Sequence, residues 1–375
     1  MMRLFASAFL LIAALFSTPF SAAFAAEVPP ADSTAELQAR IDAVAQPFID
    51  NGRAMGLVVG VVSPAGTHVF GYGRKLKGED GLPDGDTLFE IGSITKVFTG
   101  LALASMVEDG LVRLDDPVRG LLPEGVKVPA RGDKEITLVH LSTHSSALPR
   151  VPLALLFAGL DNPYAKFQPE QLYEALAATE LQKDIGGQSE YSNLGVGLLG
   201  HALALRAGTS YEELVKQRVC RPLSLADTTI TFSDDQRARL ATGHTAEGEP
   251  TGNWDFDALA GAGAIRSTAH DMLRFASAQM GLTETPLAAA IAASQQTHFD
   301  GEGGTYGLGW VLQKAGGGEL DFIWHNGGTG GYCSFLGLVK QKQLGVVVLC
   351  NTSLIGRGSA ADEAAGSILR ALLEE

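Results

Sequence analysis

The sequence predicts a mixed α/β fold of the α+β kind. An antiparallel sheet from both chain ends is flanked by helices, and a mainly helical lobe fills the middle. Three observations predict it. Short, apolar, Gly-punctuated segments cluster near the two ends of the chain. Helical periodicity dominates between them. The 375 residues are 46% hydrophobic and 19% charged, a globular composition with a sizeable core.

The first residues have the pattern of a secretory signal. Arg3 precedes an uncharged apolar run from Leu4 to Phe16, and Ala23-Phe24-Ala25 fits a cleavage site. Residues 1–25 are therefore expected to be removed, leaving 26–375 as one catalytic domain. The apolar run is short for a bilayer span, and no later stretch reaches that length. The expectation is a secreted, periplasmic, monomeric protein with no membrane span after processing. The net charge of −14 disfavours nucleic acid as a partner.

Elements follow in order. Ser33 is placed to cap a helix running to about Asn51, with Leu37, Ile41, Val44 and Phe48 on one face. Residues 56–63 and 67–72 read as a hairpin around Pro64-Ala65-Gly66. A helix is expected to start at Ser93 and end at Gly110. Residues 172–179, 194–206 and 211–217 read as helices, as does 269–279 behind a Thr268 cap. Strands return at 306–313, 320–325, 332–340 and 343–351, and a helix over about 360–373 closes the chain. The sheet lobe thus takes about 26–92 and 300–375, and the helical lobe about 93–299.

The three cysteines, Cys220, Cys333 and Cys350, have no metal or redox spacing, and the eight histidines show no ligand pattern. No metal or cofactor is expected. The hairpin register places Cys333 opposite Cys350, which makes a disulfide a possibility in an exported protein.

Three motifs carry chemistry. In Gly92-Ser93-Ile94-Thr95-Lys96, residues i and i+3 share a helix face, so the Lys96 amine can reach the Ser93 hydroxyl. A serine becomes a good nucleophile only when a base takes its proton. In Tyr191-Ser192-Asn193, alternation points Tyr191 and Asn193 into one cleft. A nearby ammonium would make the phenol easier to ionise, and Asn193 can hold a substrate amide. In His325-Asn326-Gly327-Gly328-Thr329-Gly330-Gly331, glycines permit close backbone approach, and an N–H there could join that of Ser93 in an oxyanion hole. Each motif alone also fits an ordinary helix start, a packed tyrosine or a flexible loop. Their combination is far more specific.

The order Ser-x-x-Lys, Tyr-x-Asn, basic-x-Gly resembles the serine β-lactamase and penicillin-binding protein superfamily, in particular its class C β-lactamase-like branch, with DD-peptidase, esterase and D-aminopeptidase relatives. Residues 136–149, 191–200, 221–223, 267–275, 306–310 and 325–335 carry the same likeness. The resemblance implies a β-lactamase/transpeptidase-like fold and a roughly fixed set of roles. Ser93 would be the nucleophile, Lys96 the base and Tyr191 the acid/base. Asn193, His325 and Gly327 would bind substrate, and the N–H groups of Ser93 and Gly328 would hold the oxyanion. The implied substrates are β-lactams or peptidoglycan peptides ending in D-Ala-D-Ala. An esterase, a D-aminopeptidase and a non-catalytic penicillin binder are the alternatives. Two departures are expected to matter. Asn326 replaces a threonine, and His325 replaces a lysine, so its charge would fade above pH about 6.5. Lys314-Ala315-Gly316 is a competing basic-x-Gly match, expected in a turn.

Overall fold

The computed structural model describes residues 34–374 apart from 158, 160, 316, 317 and 357. The expected leader and the Ser33 cap lie outside the described residues.

The chain builds an eight-stranded antiparallel sheet from both ends of the sequence, as expected. A helix over Thr34–Asp50 leads into β1 (Gly56–Ser63) and β2 (Gly66–Gly73). Next come β3 (Leu88–Glu90), a 3-10 turn (Gly92–Ile94) and a helix over Thr95–Glu108. Helices over Pro169–Ala178, Asn193–Ala207 and Tyr211–Val215 follow, with two-residue strands β4 (Gly243–His244) and β5 (Pro250–Thr251). After β6 (Arg266–Thr268) and the Ala269–Gln279 helix come β7 (Phe299–Gly301), β8 (Gly304–Tyr306), β9 (Val311–Ala315) and β10 (Leu320–Gly328). β11 (Cys333–Val339), β12 (Leu344–Cys350) and the Ala360–Leu373 helix complete the chain. The sheet order is β2-β1-β12-β11-β10-β9-β8-β7. The N- and C-terminal strands meet where β1 pairs with β12, Leu57 opposite Cys350.

Strand alternation sorts the core into two layers. Val59, Val61, Trp324, Phe335, Val346 and Val348 face the terminal helices, meeting Leu37, Ile41, Ala361, Ala364 and Ile368. Val58, Val62, Ile323, Leu336, Val347 and Leu349 face the opposite core. The Ala269–Gln279 helix packs on this second face, with Leu273 against Gly60. It falls within the stretch expected to be the helical lobe, yet it covers the sheet. The Thr268 side chain caps it, accepting from the Asp271 N–H at 3.2 Å.

Several expectations are corrected. The stretch 306–313 is not one strand: β8 stops at Tyr306 and β9 begins at Val311. β8 and β9 are paired antiparallel strands, Tyr306 opposite Val311, joined by a tight turn that the Gly307 N–H closes on the Trp310 carbonyl at 3.0 Å and in which Gly309 takes φ +76°. β10 runs on past His325 through Gly328, so Gly327 and Gly328 form strand, while Gly330 and Gly331 lie in the bend that leads to β11. Lys314 and Ala315 end β9 instead of lying in a turn, and Lys314 pairs with Asp321. Gly316 lies outside the described residues.

Cys333 does stand opposite Cys350, but both are buried free thiols. They are not joined by a disulfide. Directly opposed residues hold their Cβ atoms about 4.5–5.5 Å apart, wider than the roughly 3.8 Å a disulfide prefers.

Candidate active site

Backbone packing puts Ser93 where it is. Ile91 follows β3, and its carbonyl accepts from the Ser334 hydroxyl of β11 at 2.8 Å. Gly92 then turns with φ +49°, and a Cβ there would lie 2.6 Å from the Gly328 nitrogen. Only glycine tolerates both the left-handed φ and the contact. The result is a 3-10 turn carrying Ser93 against the Gly328 backbone, with Ser93 partly exposed. The helix expected from Ser93 begins in regular form at Thr95. It is buried on every side from Thr95 to Met106, so Lys96, one turn on, has no access to bulk water.

Lys96 is completely buried. Its Nζ lies 3.0 Å from Ser93 Oγ, 2.9 Å from Asn193 Oδ1 and 2.6 Å from the Ala262 carbonyl oxygen. Desolvation, reinforced by the charge of Arg150, pushes its pKa well below the usual lysine value. A neutral amine has two N–H donors and one lone pair. The Ala262 carbonyl and Asn193 Oδ1 can only accept, so they take both donors. In that neutral form the lone pair would be left for the Ser93 hydroxyl.

Tyr191 and Asn193 face the same cleft, while Ser192 between them turns away and donates to the Pro149 carbonyl at 2.7 Å. The Ser192 hydroxyl also caps the Asn193–Ala207 helix, accepting from Gly195 N–H at 2.8 Å. Asn193 Nδ2 donates to the Tyr164 hydroxyl at 3.1 Å. The Tyr191 hydroxyl is buried beside Ser93. Lys96 Nζ lies 4.7 Å from the centre of its ring. The phenol is not easier to ionise, contrary to expectation. Burial raises its pKa, and the opposing pull of Arg150 and Ser93 is smaller. At neutral pH it is a phenol that can relay a proton, not a standing phenolate.

His325 is buried on β10, within 6.2 Å of the Tyr191 ring centre. Desolvation, then the Lys96 charge, lower its pKa to about 3. The expected switch near pH 6.5 is therefore absent, and His325 is neutral over the working range. Its Nδ1 lies 2.6 Å from the Asn326 carbonyl, so Nδ1 carries the proton and Nε2 is an acceptor. Asn326 points to the other face of the sheet, where Nδ2 donates to Asp362 at 2.7 Å. It is not part of the cleft. Gly327 faces inward, against the Ile91 carbonyl and Ser334.

Sequence reasoning missed four contributors. The Ala262 carbonyl is brought to Lys96 by a 3-10 segment over Asp257–Ala262, which a Gly197 and a Gly200 on the neighbouring helix admit at close range. The His144 ring packs tilted against Tyr191, centroids 4.5 Å apart, its Nδ1 accepting from the Ser192 N–H at 3.1 Å. Tyr164 holds Asn193 and stacks on Phe256 at 4.6 Å. Arg150 lies 4.9 Å over the Tyr191 ring. The signal available was position: His144 lies within the family-like stretch 136–149 and Arg150 directly follows it, but no periodicity marks either as a cleft residue. Tyr191 also lines one end of a groove of about 800 Å³, with Tyr306, Ile323 and Trp324, whose wall does not include Ser93. Among the described residues no cluster of His, Cys, Asp or Glu could hold a metal ion. No described helix is long and apolar enough to cross a membrane.

Comparison with known proteins agrees with this architecture. The chain is 31% identical over 332 residues to the D-alanyl-D-alanine-carboxypeptidase/endopeptidase AmpH of Escherichia coli (strain K12), covering 84% of each chain. It is 28% identical to a β-lactamase of Pseudomonas fluorescens, over 83% of this chain and 92% of that one. A solved β-lactamase/D-alanine carboxypeptidase from Yersinia pestis superposes with a TM-score of 0.77 at 27% identity, covering 91% of this chain and all of the other. The family model for Beta-lactamase matches residues 41–369, and the chain belongs to that family.

Proposed function

We propose that this protein is an exported serine hydrolase that acts through a Ser93 acyl-enzyme on β-lactams or on peptides ending in D-Ala-D-Ala. The observation that carries this reading is the buried Lys96 amine, 3.0 Å from Ser93 Oγ, with its other two polar partners both acceptors. The substrate classes come from the relatives, which are named for β-lactamase and carboxypeptidase activity. Export rests on the leader-like residues 1–25, and a monomer is the simplest assembly.

The chemistry follows from the geometry. Neutral Lys96 takes the Ser93 proton as Oγ attacks the substrate carbonyl carbon. The negative oxygen that forms lies between the N–H groups of Ser93 and Gly328, which such donors stabilise by about 3 kcal/mol each. The proton passes from Lys96 through the Tyr191 hydroxyl to the departing nitrogen. That nitrogen leaves as an amine, or as the opened ring of a lactam, and an ester on Ser93 remains. Water then attacks the ester, its proton returning by the same route, and Ser93 is restored.

A second reading, an esterase on the same scaffold, is favoured by one observation. His325 is uncharged, so the strand position implied for carboxylate binding carries no cation. The deciding experiment incubates the protein with a penicillin, a D-Ala-D-Ala peptide and a simple aryl ester, following intact mass and product. Turnover or a lasting adduct with either of the first two supports the proposal. Reaction with the ester alone makes the protein an esterase.

A further inference from the structure

The cleft contains one cation that neither the motifs nor the proposed chemistry uses. Arg150 follows the stretch 136–149 and is partly exposed. Its backbone carbonyl accepts from the N–H groups of Asn193, at 2.8 Å, and Leu194, at 3.3 Å. Arg150 is thereby tied to the start of the helix that carries Asn193. Its guanidinium lies 4.9 Å over the Tyr191 ring, and its charge acts on Lys96, His144, Tyr164 and Tyr191.

The neighbouring basic groups do not compete for the role. Lys96 and His325 are fully buried, and burial favours their neutral forms. The charge that acts on Lys96 is that of Arg150. Guanidinium groups keep their charge at any pH where an enzyme works, and their planar fork suits a carboxylate. This positive charge lies partly exposed over the Tyr191 ring in a protein of net charge −14. A local field opposite to that of the surrounding protein favours anionic ligands there.

We propose that Arg150 is the anion anchor of the cleft: it receives a carboxylate of the substrate and makes the enzyme prefer acidic over neutral substrates, a role the sequence assigned to His325. This rests on the Ser93 acylation reading. The carboxylate can belong to the acyl part of the substrate or to the leaving part, and the test separates the two.

Two matched pairs serve as probes. Phenyl hydrogen succinate against phenyl butyrate places the charge on the acyl side. A penicillin against its methyl ester places it on the leaving side. The quantity read is the ratio of kcat/KM, acidic over neutral, within each pair. Arg150→Gln is expected to lower the ratio at least tenfold in one pair, and that pair identifies the side. Arg150→Lys is expected to retain part of the preference, and the wild-type ratio is expected to fall as salt rises. The salt series and Arg150→Lys carry the test if Arg150→Gln does not fold. Unchanged ratios in both pairs overturn the proposal. An equal loss on acidic and neutral substrates leaves the ratios unchanged and shows that Arg150 only positions Tyr191. Failure of wild-type protein to react with any of the four compounds overturns the acylation reading itself, and this inference with it.

Discussion

The Lys96 amine lies 2.6 Å from the carbonyl oxygen of Ala262, 166 residues further along the chain. In the proposed mechanism that contact, with the one to Asn193, orients the buried lysine as the base. A backbone carbonyl cannot donate, so it always takes one N–H, and the amine lone pair points where the sequence motif needs it. Asn193 thus has a second task beside the substrate contact inferred for it. Its amide oxygen helps set the direction of proton transfer.

Replacing Asn193 by aspartate tests this. A carboxylate 2.9 Å from the Lys96 nitrogen favours the ammonium. Lys96 must lose a proton to act, so activity falls as pH drops through its pKa. In wild type that pKa is well below the usual lysine value, so the acid limb lies below it too. In Asn193→Asp the acid limb of kcat/KM should move to higher pH by about one unit or more. A pH–rate profile of both proteins on one substrate checks it. An unmoved limb would mean that another group titrates.

Gly92→Ala should lower kcat about 100-fold or more, because the added carbon meets the Gly328 nitrogen and displaces an oxyanion donor. The far-UV spectrum and substrate KM should change much less than kcat. Steady-state kinetics with a circular dichroism control checks this. A variant with wild-type kcat would show that the Gly92–Gly328 contact is not needed for catalysis.

Glu90 and Arg266 form a buried ion pair at 3.1 Å, joining β3 to β6 beside Trp254. Glu90→Ala would leave a buried guanidinium short of its partner. The expected loss is about 3–5 kcal/mol in urea unfolding. A loss under about 1 kcal/mol would mean that Asp255 and the Trp254 carbonyl, which also meet Arg266, suffice.

Asp362 gives a stability prediction with a definite sign. Burial raises its carboxyl to about 7 from an ordinary value of 3.8. The folded state therefore holds this proton more tightly than the unfolded state does. The contribution to stability is fully present below about pH 4 and is lost as pH rises through about 7. Asp362→Asn keeps an oxygen for the Asn326 amide and has no charge to bury. Its stability relative to wild type should rise between pH 4 and 8, by up to about 4 kcal/mol. Thermal melts across that range check it. A pH-independent difference would place Asp362 in contact with water.

Much of this was legible in the sequence, for physical reasons. Ser93 and Lys96 are one helical turn apart, so local geometry alone joins them. Tyr191 and Asn193 alternate around Ser192, whose capping role fixes the pattern. The Cys333–Cys350 register followed from two apolar runs and a short turn. What could not be read depends on long-range packing. The Ala262 carbonyl has no side-chain signature. The protonation of Tyr191, Lys96 and His325 is set by desolvation, which motif spacing does not encode. The hairpin turn at 307–310 is the exception: Gly307 and Gly309 are a local signal of it. The sheet face on which Asn326 lies depended on β10 continuing through Gly327 and Gly328, which composition alone marked as loop.

The central claim is that the Ser93 hydroxyl is the group acylated. Brief incubation with a penicillin or an activated ester, acid quench, digestion and mass spectrometry of the peptides tests it most directly. The account predicts one added acyl group, located on Ser93 and absent from Ser93→Ala. An adduct on any other residue, or one of equal yield in Ser93→Ala, would contradict it.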